Sequence, residues 1–329
     1  MSFANYKRAF KRLIIALNPI CESYGKKKYY FLWNALKAFI RYGVTPNEYI
    51  GFGFYKKSTL EKKEFYTARH SDYYEPKFNH KSKIDIFNRK ELTLKTFSDF
   101  VNRKWLYTPE YSRDEIERFL KSGKKIIVKP NNMSSGKGIH IYNDTESIDE
   151  IINHNCLLEE FVCQHPSLDK INSSSVNTIR IYSVKTMKKI NLTKWNVWNK
   201  GNTIIFSASI RVGGKNAEVD NFHAGGIGYP IDIRHGIVNG EGKNIIGERF
   251  SYHPSSGKKM IGFEIPMWDE LLEYVFNLNQ VVDEAKLIAW DIAITPNGFD
   301  LIEANCCGDP GFMQTPTETG FKRLIVAAL

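Results

Sequence analysis

Asp291, Glu303 and Asn305 interrupt the stretch "LIAWDIAITPNGFDLIEANCCGDPG", which otherwise reads as two apolar strands around a turn. A three-residue Pro-Asn-Gly loop, with Gly298 in the left-handed region, pairs Thr295 with Phe299, Ala293 with Leu301 and Asp291 with Glu303. Strand side chains alternate, so Asn305 shares a face with Glu303, while Trp290, Ile292, Ile294, Ile302 and Ala304 fall on the other. A two-residue Asn-Gly loop would shift the register by one and part the carboxylates; the longer loop is preferred because it sorts the polar groups together. Two facing carboxylates repel and are costly to bury without a cation between them. Oxygen-only ligands suit Mg²⁺, which completes its shell with water and nucleotide phosphates. The stretch reads as a metal–phosphate platform.

A second stretch, "IIVKPNNMSSGKGIHIY", reads as strand, loop, strand. Gly136 and Gly138 permit close backbone approach, Ser134 and Ser135 add hydroxyls, and successive N–H groups in such a turn cradle phosphate oxygens. Lys129 at the strand end and Lys137 in the loop reach toward the same phosphates. A Walker loop needs a helix after its GK[ST], and here a β-like run follows Gly138, so that motif is excluded. About twenty residues on, "LLEEFV" places Glu159, Glu160, Phe161 and Val162 either on an edge strand with solvated carboxylates or in a linker whose backbone reads the edge of adenine.

These groups need a scaffold. The chain has 329 residues, 42% hydrophobic and 25% charged, enough for two or three lobes with a sizeable core. Five cysteines at irregular spacing form neither a disulfide framework nor a zinc site; Cys21, Cys156 and Cys163 read as small core residues of a reduced compartment. No apolar run has membrane-spanning length and no signal-peptide pattern opens the chain, so a soluble, cytoplasmic protein is expected. The net charge of +10 asks for an anionic partner. Nucleic acid is not expected, since there is no zinc finger, RNP-like run or Arg-rich tail.

Much of the charge lies in "NYKRAFKRL", "YGKKKYY" and "FYKKSTLEKKEFY". Residues 1–85 read as a basic, mainly helical region. "YKRAFKRLIIAL" closes at Asn18-Pro19 and "YFLWNALKAFIRYG" at Gly43, with an irregular stretch from Ala68 to Lys83. Residues 86–162 add the helices "NRKELTLKTFSDFVNRKW" and "SRDEIERFLKSG", the latter capped by Ser112 and ended by Gly123, and a first group of strands. Residues 163–329 are β-rich, interrupted by the helix "MWDELLEYVFNLNQVV". Without strict βαβ alternation the class is α+β.

Lys129 before its Ser/Gly loop, then "LLEEFV", then Asp291 and Glu303-Ala304-Asn305 come in the order of ATP-grasp ligases. With "QHPSLDKINSSSVNTIRIYSV", "VDNFHAGGIGYPIDIRHGIV", "HPSSGKKMIGFEIP" and "AWDIAITPNGFDLIEAN", the chain from about Lys125 onward resembles the sugar-transfer-associated ATP-grasp family. The resemblance implies two α+β lobes clasping ATP, with Lys129 on its phosphates, Ser134 to Gly138 as the phosphate loop and Glu159 to Val162 as the adenine hinge. It implies a Mg²⁺ triad of Asp291, Glu303 and Asn305. It further makes Arg180, next to Asn177 and Thr178, a cation for the transferred phosphoryl group. Asn221 and His223 in "DNFHAGGIG" become substrate or phosphate contacts beside the N–H groups of Gly225 and Gly226, and Arg211 a further catalytic candidate.

The activity implied is carboxylate–amine ligation through an acyl phosphate, joining an amino acid or amine to a sugar acid or amino sugar in polysaccharide or capsule biosynthesis. Residues 1–85 depart from the superfamily's usual α/β first lobe, so the substrates are not carried over. Two other classes stay open. One is a kinase of a sugar or small acid on the same platform. The other is a non-enzymatic binder of acidic polysaccharide or membrane, with "NYKRAFKRLIIAL" docking reversibly on an anionic surface.

Overall fold

Two antiparallel sheets carry the chemistry. The computed structural model describes residues 3–131, 138–214, 225–306 and 308–329. The smaller sheet holds β1 (Trp105–Tyr107), β2 (Ile126–Pro130), β3 (His140–Ile141) and β4 (Cys156–Glu160), in the order β1-β4-β2-β3. The larger holds β5 (Thr178–Lys185), β6 (Trp198–Lys200), β7 (Thr203–Val212), β8 (Ile227–Asp232), β9 (Ile237–Val238), β10 (Gly242–Lys243), β11 (Arg249–Phe250), β12 (Leu287–Thr295) and β13 (Gly298–Cys306). Its main path runs β11-β10-β8-β7-β5-β12-β13, with β6 on β7 and β9 on β8. The class is α+β, as the mixed strand and helix pattern predicts.

The larger sheet is apolar on both faces. The helix Trp268–Val281 repeats Trp268, Leu271, Leu272, Val275 and Leu278 along one stripe, which packs with Ile181, Ile205, Trp290 and Ile292 of the sheet. Trp290 is fully buried and its indole N–H donates to Ser183 Oγ at 2.9 Å, so the polar atom carried inward has a partner. On the opposite face Tyr182, Phe206 and Ala289 pack with Phe312, Met313 and Phe321. Asp291 alternates with Trp290 and Ile292, which places it on this second face.

The hairpin closes with two residues in its turn, not three. Thr295 pairs with Gly298, Ile294 with Phe299, Ala293 with Asp300 and Ile292 with Leu301, one step away from the register read from the sequence. Gly298 has φ 147°, outside the left-handed helical region expected for it. A β-bulge between Asp291 and Ile292 then absorbs one residue, and beyond it Asp291 faces Glu303. The pairing expected between the carboxylates is present, for a reason the sequence reading did not contain.

Gly308 follows this hairpin with φ 57°, and a Cβ there would lie 2.6 Å from Ala289 Cβ and 2.7 Å from a Tyr182 ring carbon. Gly308→Ala is therefore expected to cost more than about 1 kcal/mol, from left-handed strain plus overpacking. A urea titration checks this; an unchanged midpoint would show that the segment relaxes freely.

The N-terminal region is helical, with corrections. Helix α1 (Phe3–Tyr24) runs through Pro19 instead of ending there, and α2 (Lys28–Tyr42) ends at Gly43, φ 70°, as predicted. After α3 (Pro46–Gly51) and α4 (Thr59–Lys63), α5 (Ala68–Phe78) occupies most of the stretch read as irregular, with His70 accepting from the Thr67 N–H at its start. The "SRDEIERFLKSG" helix spans Arg113–Leu120, and Ser112 and Glu115 form its capping box. The "KINLTKWNVWNK" run is strand only over Trp198–Lys200, and Cys163 is exposed, not a core residue.

This region is docked on the larger sheet's second face. Gln314 accepts from the Tyr66 N–H at 2.9 Å and donates to its carbonyl at 2.6 Å, and the Lys322 N–H reaches the Glu64 carbonyl. Asn79 Nδ2 donates to the Leu287 carbonyl at 3.0 Å. The helices therefore cover the flank of the sheet that leads up to Asp291.

Candidate active site

Three neighbouring strands converge on one carboxylate. Asp291 on β12 stands opposite Arg180 on β5, and Arg211 comes from β7 next to it. Arg180 Nη2 and Arg211 Nη1 each donate to Asp291 Oδ2 at 2.6 Å, and Arg180 Nε donates to Oδ1. Asp291 is 2% exposed. Burial alone would disfavour its charge, but the two guanidinium groups outweigh that and hold its pKa below the usual carboxylate range. Arg180 is thus no surface strand arginine.

Glu303, opposite Asp291 on β13, has the contrary balance. Its side chain is exposed at the surface, yet the protein atoms around its carboxylate and the Asp291 charge beside it raise its pKa. A carboxylate held against its own preference next to another is a group in need of a cation. Asn305 follows two positions on, half-buried and on the same face. Among the described residues no cluster of three or more His, Cys, Asp or Glu side chains is placed to hold a metal. A metal here rests on the mixed set Asp291, Glu303 and Asn305, whose all-oxygen donors fit Mg²⁺.

The smaller sheet supplies the opposite sign. Lys129, at the end of β2, pairs with Glu159 Oε1 at 2.8 Å. Glu159 is buried on a central strand, which removes the solvated-edge reading, and its other oxygen accepts from Arg103 Nε at 2.5 Å. Burial pushes the Glu159 carboxyl up, yet Arg103 and Lys129 together bring it down to about 2. The Glu159 side chain therefore positions Lys129. The hinge amides are divided: the Glu160 N–H donates to the Lys104 carbonyl and the Phe161 N–H to the Lys125 carbonyl. Within the Glu159–Val162 segment expected to hold adenine, Phe161 thus has its donor already engaged. Lys125 Nζ stands 4.0 Å over the Phe161 ring.

Arg103 joins the two sheets. Beyond Glu159 it donates from Nη1 to Asp300 and, at 2.8 Å, to the Leu301 carbonyl, while its own N–H donates to Asp300 Oδ2 at 2.9 Å. Neither Arg103 nor Asp300 was singled out from sequence. Asp300 lies one residue from an apolar position in a run of alternating character, and nothing local marks Arg103. Lys90, at the first turn of the helix Lys90–Thr96, is a further omission. Burial lowers its pKa, while Glu303 and Glu159 act to raise it and Lys129 to lower it, which puts its ammonium in the field of both sheets' carboxylates.

Of the remaining expected residues, Gly138 lies in a left-handed conformation at φ 70° directly before β3. Ser134, Ser135, Gly136 and Lys137 lie outside the described residues, as do Asn221 and His223. Gly225 and Gly226 lead into β8, whose neighbour is the Arg211 strand.

Two antiparallel sheets latched through one buried arginine, with Asp291 and Glu303 on one and Lys129 on the other, define a two-lobed α+β clasp. The chain belongs to the sugar-transfer-associated ATP-grasp family, whose model matches residues 69–327. No curated protein matches it. Similar solved structures include the ATP-grasp ligase PsnB with precursor peptide PsnA2 and AMPPNP, at 12% identity and TM-score 0.46, covering 76% of this chain and 61% of that one. They also include the D-alanine-D-alanine ligase of Helicobacter pylori, at 16% identity and TM-score 0.41 over 74% and 61% of the two chains. The N5-carboxyaminoimidazole synthetase of Staphylococcus aureus with ADP shows 11% identity and TM-score 0.40 over 71% and 52%. The chain spans about three-fifths of the length of the first of these.

Proposed function

We propose that the protein is an ATP-dependent carboxylate–amine ligase that works through an acyl phosphate. The observation that carries this is the pairing of Asp291 with Glu303 on one sheet, with the Lys129 ammonium of the smaller sheet and the Lys90 ammonium of the helix Lys90–Thr96 both acting on Glu303. Lys129, held by Glu159, and Lys90 neutralise the ATP phosphates. Asp291, Glu303 and Asn305 would hold Mg²⁺, which would supply charge neutralisation for the transferred phosphoryl group. Arg180 and Arg211 stand beside it to stabilise the charge that builds as the γ-phosphoryl passes to the substrate carboxylate. The amine then displaces phosphate, the C–N bond forms and inorganic phosphate leaves. No protein nucleophile is required.

The amine has a cavity at hand. A space of about 450 Å³ between the N-terminal helices and the segment after β13 is lined by Thr45, Asn47, Glu48, Arg69, Asp72 and Asp309, among others. Arg69 is engaged with the Phe39 and Ile40 carbonyls, so the polar groups that remain are mostly acceptors. Asn47 Oδ1 is buried without a hydrogen-bond partner among the described residues. Glu48, lifted to about 8 by burial and then by the Asp309 charge, has its two oxygens engaged by the Thr45 and Ala68 N–H groups, which leaves Asp72, Asp309 and Asn47 to face a bound amine. The cavity adjoins the catalytic face: Tyr182 OH donates to the Asp309 carbonyl at 3.2 Å, and the Arg180 guanidinium lies 5.9 Å from the Tyr182 ring centre. The family's association with sugar transfer supports a sugar acid or amino sugar as one substrate, in a cytoplasmic polysaccharide or capsule pathway.

Incubation with ATP, Mg²⁺, hydroxylamine and a panel of uronic and amino acids tests the reading. ADP together with a hydroxamate is expected and identifies the activated carboxylate. AMP with a hydroxamate would replace the acyl phosphate by an adenylate. A phosphorylated product with no amine requirement would make the protein a kinase.

A further inference from the structure

The exposed surface of α2 does not look like the outside of an ordinary globular domain. Tyr29 is 71% exposed, Trp33 58%, Leu36 45% and Ile40 65%. At 3.6 residues per turn these four fall within an arc of roughly 60°. The buried Phe31 and Ala38 lie on the opposite side of the helix, packed into the core formed with α1 and α3. The apolar stripe is therefore not the face that holds the fold together.

The charge around it is one-sided. Over residues 1–47 there are nine Lys and Arg and a single acid, Glu22, so this tenth or so of the chain holds +8 of its +10. Lys26, Lys27, Lys37 and Arg41 are exposed beside the stripe, as are Lys7, Arg8 and Lys11 on α1. Lys37 Nζ lies 5.4 Å from the Trp33 ring centre and Lys26 Nζ 4.0 Å from that of Tyr30, so cations and aromatic rings occupy one surface. The apolar residues of α1 read from sequence as membrane-facing are mostly not available: Leu13, Ala16, Leu17 and Ile20 are buried. Among the described residues of that helix Phe10, Ile15 and Tyr24 are the large apolar or aromatic side chains left exposed.

We propose that the α2 face is a docking surface for an anionic lipid bilayer, on which the protein lies without crossing it. A Trp and a Tyr on an apolar stripe suit the headgroup boundary, where a ring buries its body and keeps its polar edge wet. Lysines and arginines flanking such a stripe add attraction to acidic headgroups, about fivefold in partitioning for each cation at the surface. No described helix is long and apolar enough to span a membrane, so the contact is peripheral. Phe39, on the edge of the same helix, also lines the acceptor cavity, so a protein seated this way presents that cavity close to the lipid surface.

Cosedimentation of the full chain with vesicles tests this, using phosphatidylcholine alone and phosphatidylcholine mixed with phosphatidylglycerol. The protein is expected to pellet with the mixed vesicles at least tenfold more strongly, and less so as salt is raised. W33Q/I40Q should lose at least tenfold in partitioning with circular dichroism and ATP-dependent hydroxamate formation unchanged, since both side chains are on the solvent side. K27Q/K37Q should lessen the preference for phosphatidylglycerol. Equal pelleting with both vesicles overturns the proposal, as does binding that W33Q/I40Q leaves intact. So does a dimer in light scattering that W33Q/I40Q dissociates with no vesicle binding, because the stripe is then a protein interface.

Discussion

Glu303→Gln is expected to lower ATP-dependent turnover by about two to three orders of magnitude while leaving the protein at least as stable as the parent. The two effects separate because the Asp291 charge opposes that of Glu303 across the strand pair. The protein atoms around the Glu303 carboxylate oppose its charge too, with only partial relief from Arg180, Arg211 and Lys129. Replacing the carboxylate by an amide of the same shape removes that repulsion, and it also removes an anionic oxygen from the metal set. Thermal unfolding and coupled ADP release on the same preparations decide the matter. Full turnover in the variant would overturn the metal assignment, and a large fall in Tm would mean that Glu303 is structural.

Arg103→Met is expected to do the reverse, costing about 3–5 kcal/mol of stability. Arg103 is 7% exposed and holds two carboxylates, Glu159 and Asp300, that are buried to a similar degree. Removing it leaves Asp300 without its charge partner and Glu159 with Lys129 alone. Lys129 would then be pulled more tightly toward Glu159, so the KM for ATP should rise even where the protein still folds. A pH series supplies an independent check. The folded pKa of Glu159, about 2, is depressed from the ordinary glutamate value. Its contribution to stability is therefore fully present above that ordinary value and is lost as pH falls toward about 2. The variant should show a shallower acid slope than the parent. Urea midpoints that coincide across that range would show Arg103 to be dispensable.

The sequence disclosed the chemistry of the larger sheet better than its geometry. Asp291, Glu303 and Asn305 were legible because polar groups in an otherwise apolar hairpin break a strong pattern. Strand alternation sorted them to one face only with the three-residue turn, and in the fold it is the bulge that restores that pairing. The turn itself was not legible, since Pro-Asn-Gly is compatible with several loop lengths and a bulge has no local signature in these residues. Lys129 was visible from its place before a Ser/Gly loop. Its partner Glu159 looked like an edge carboxylate, because nothing in "LLEEFV" states that β1 and β2 will flank it. Arg103 and Lys90 act through contacts with residues far along the chain, which no window of sequence displays. The same holds for α1: helical spacing gave an apolar stripe, and only the packing of α2 and α3 showed that the stripe points inward.

The bulge between Asp291 and Ile292 divides the hairpin into two stretches of different register. On the Asp291 side, the strand is locked to β5 and to the arginine that meets it, and a slip of one residue would turn the carboxylate out of the site. On the turn side, Ile292 to Leu301 pair across the hairpin one step away from that register, while Ile292 and Ala293 keep their alignment with β5. The turn-side register also seats Phe299 and Asp300 against Asn102 and Arg103, so the length of the loop is tied to the latch between the two sheets.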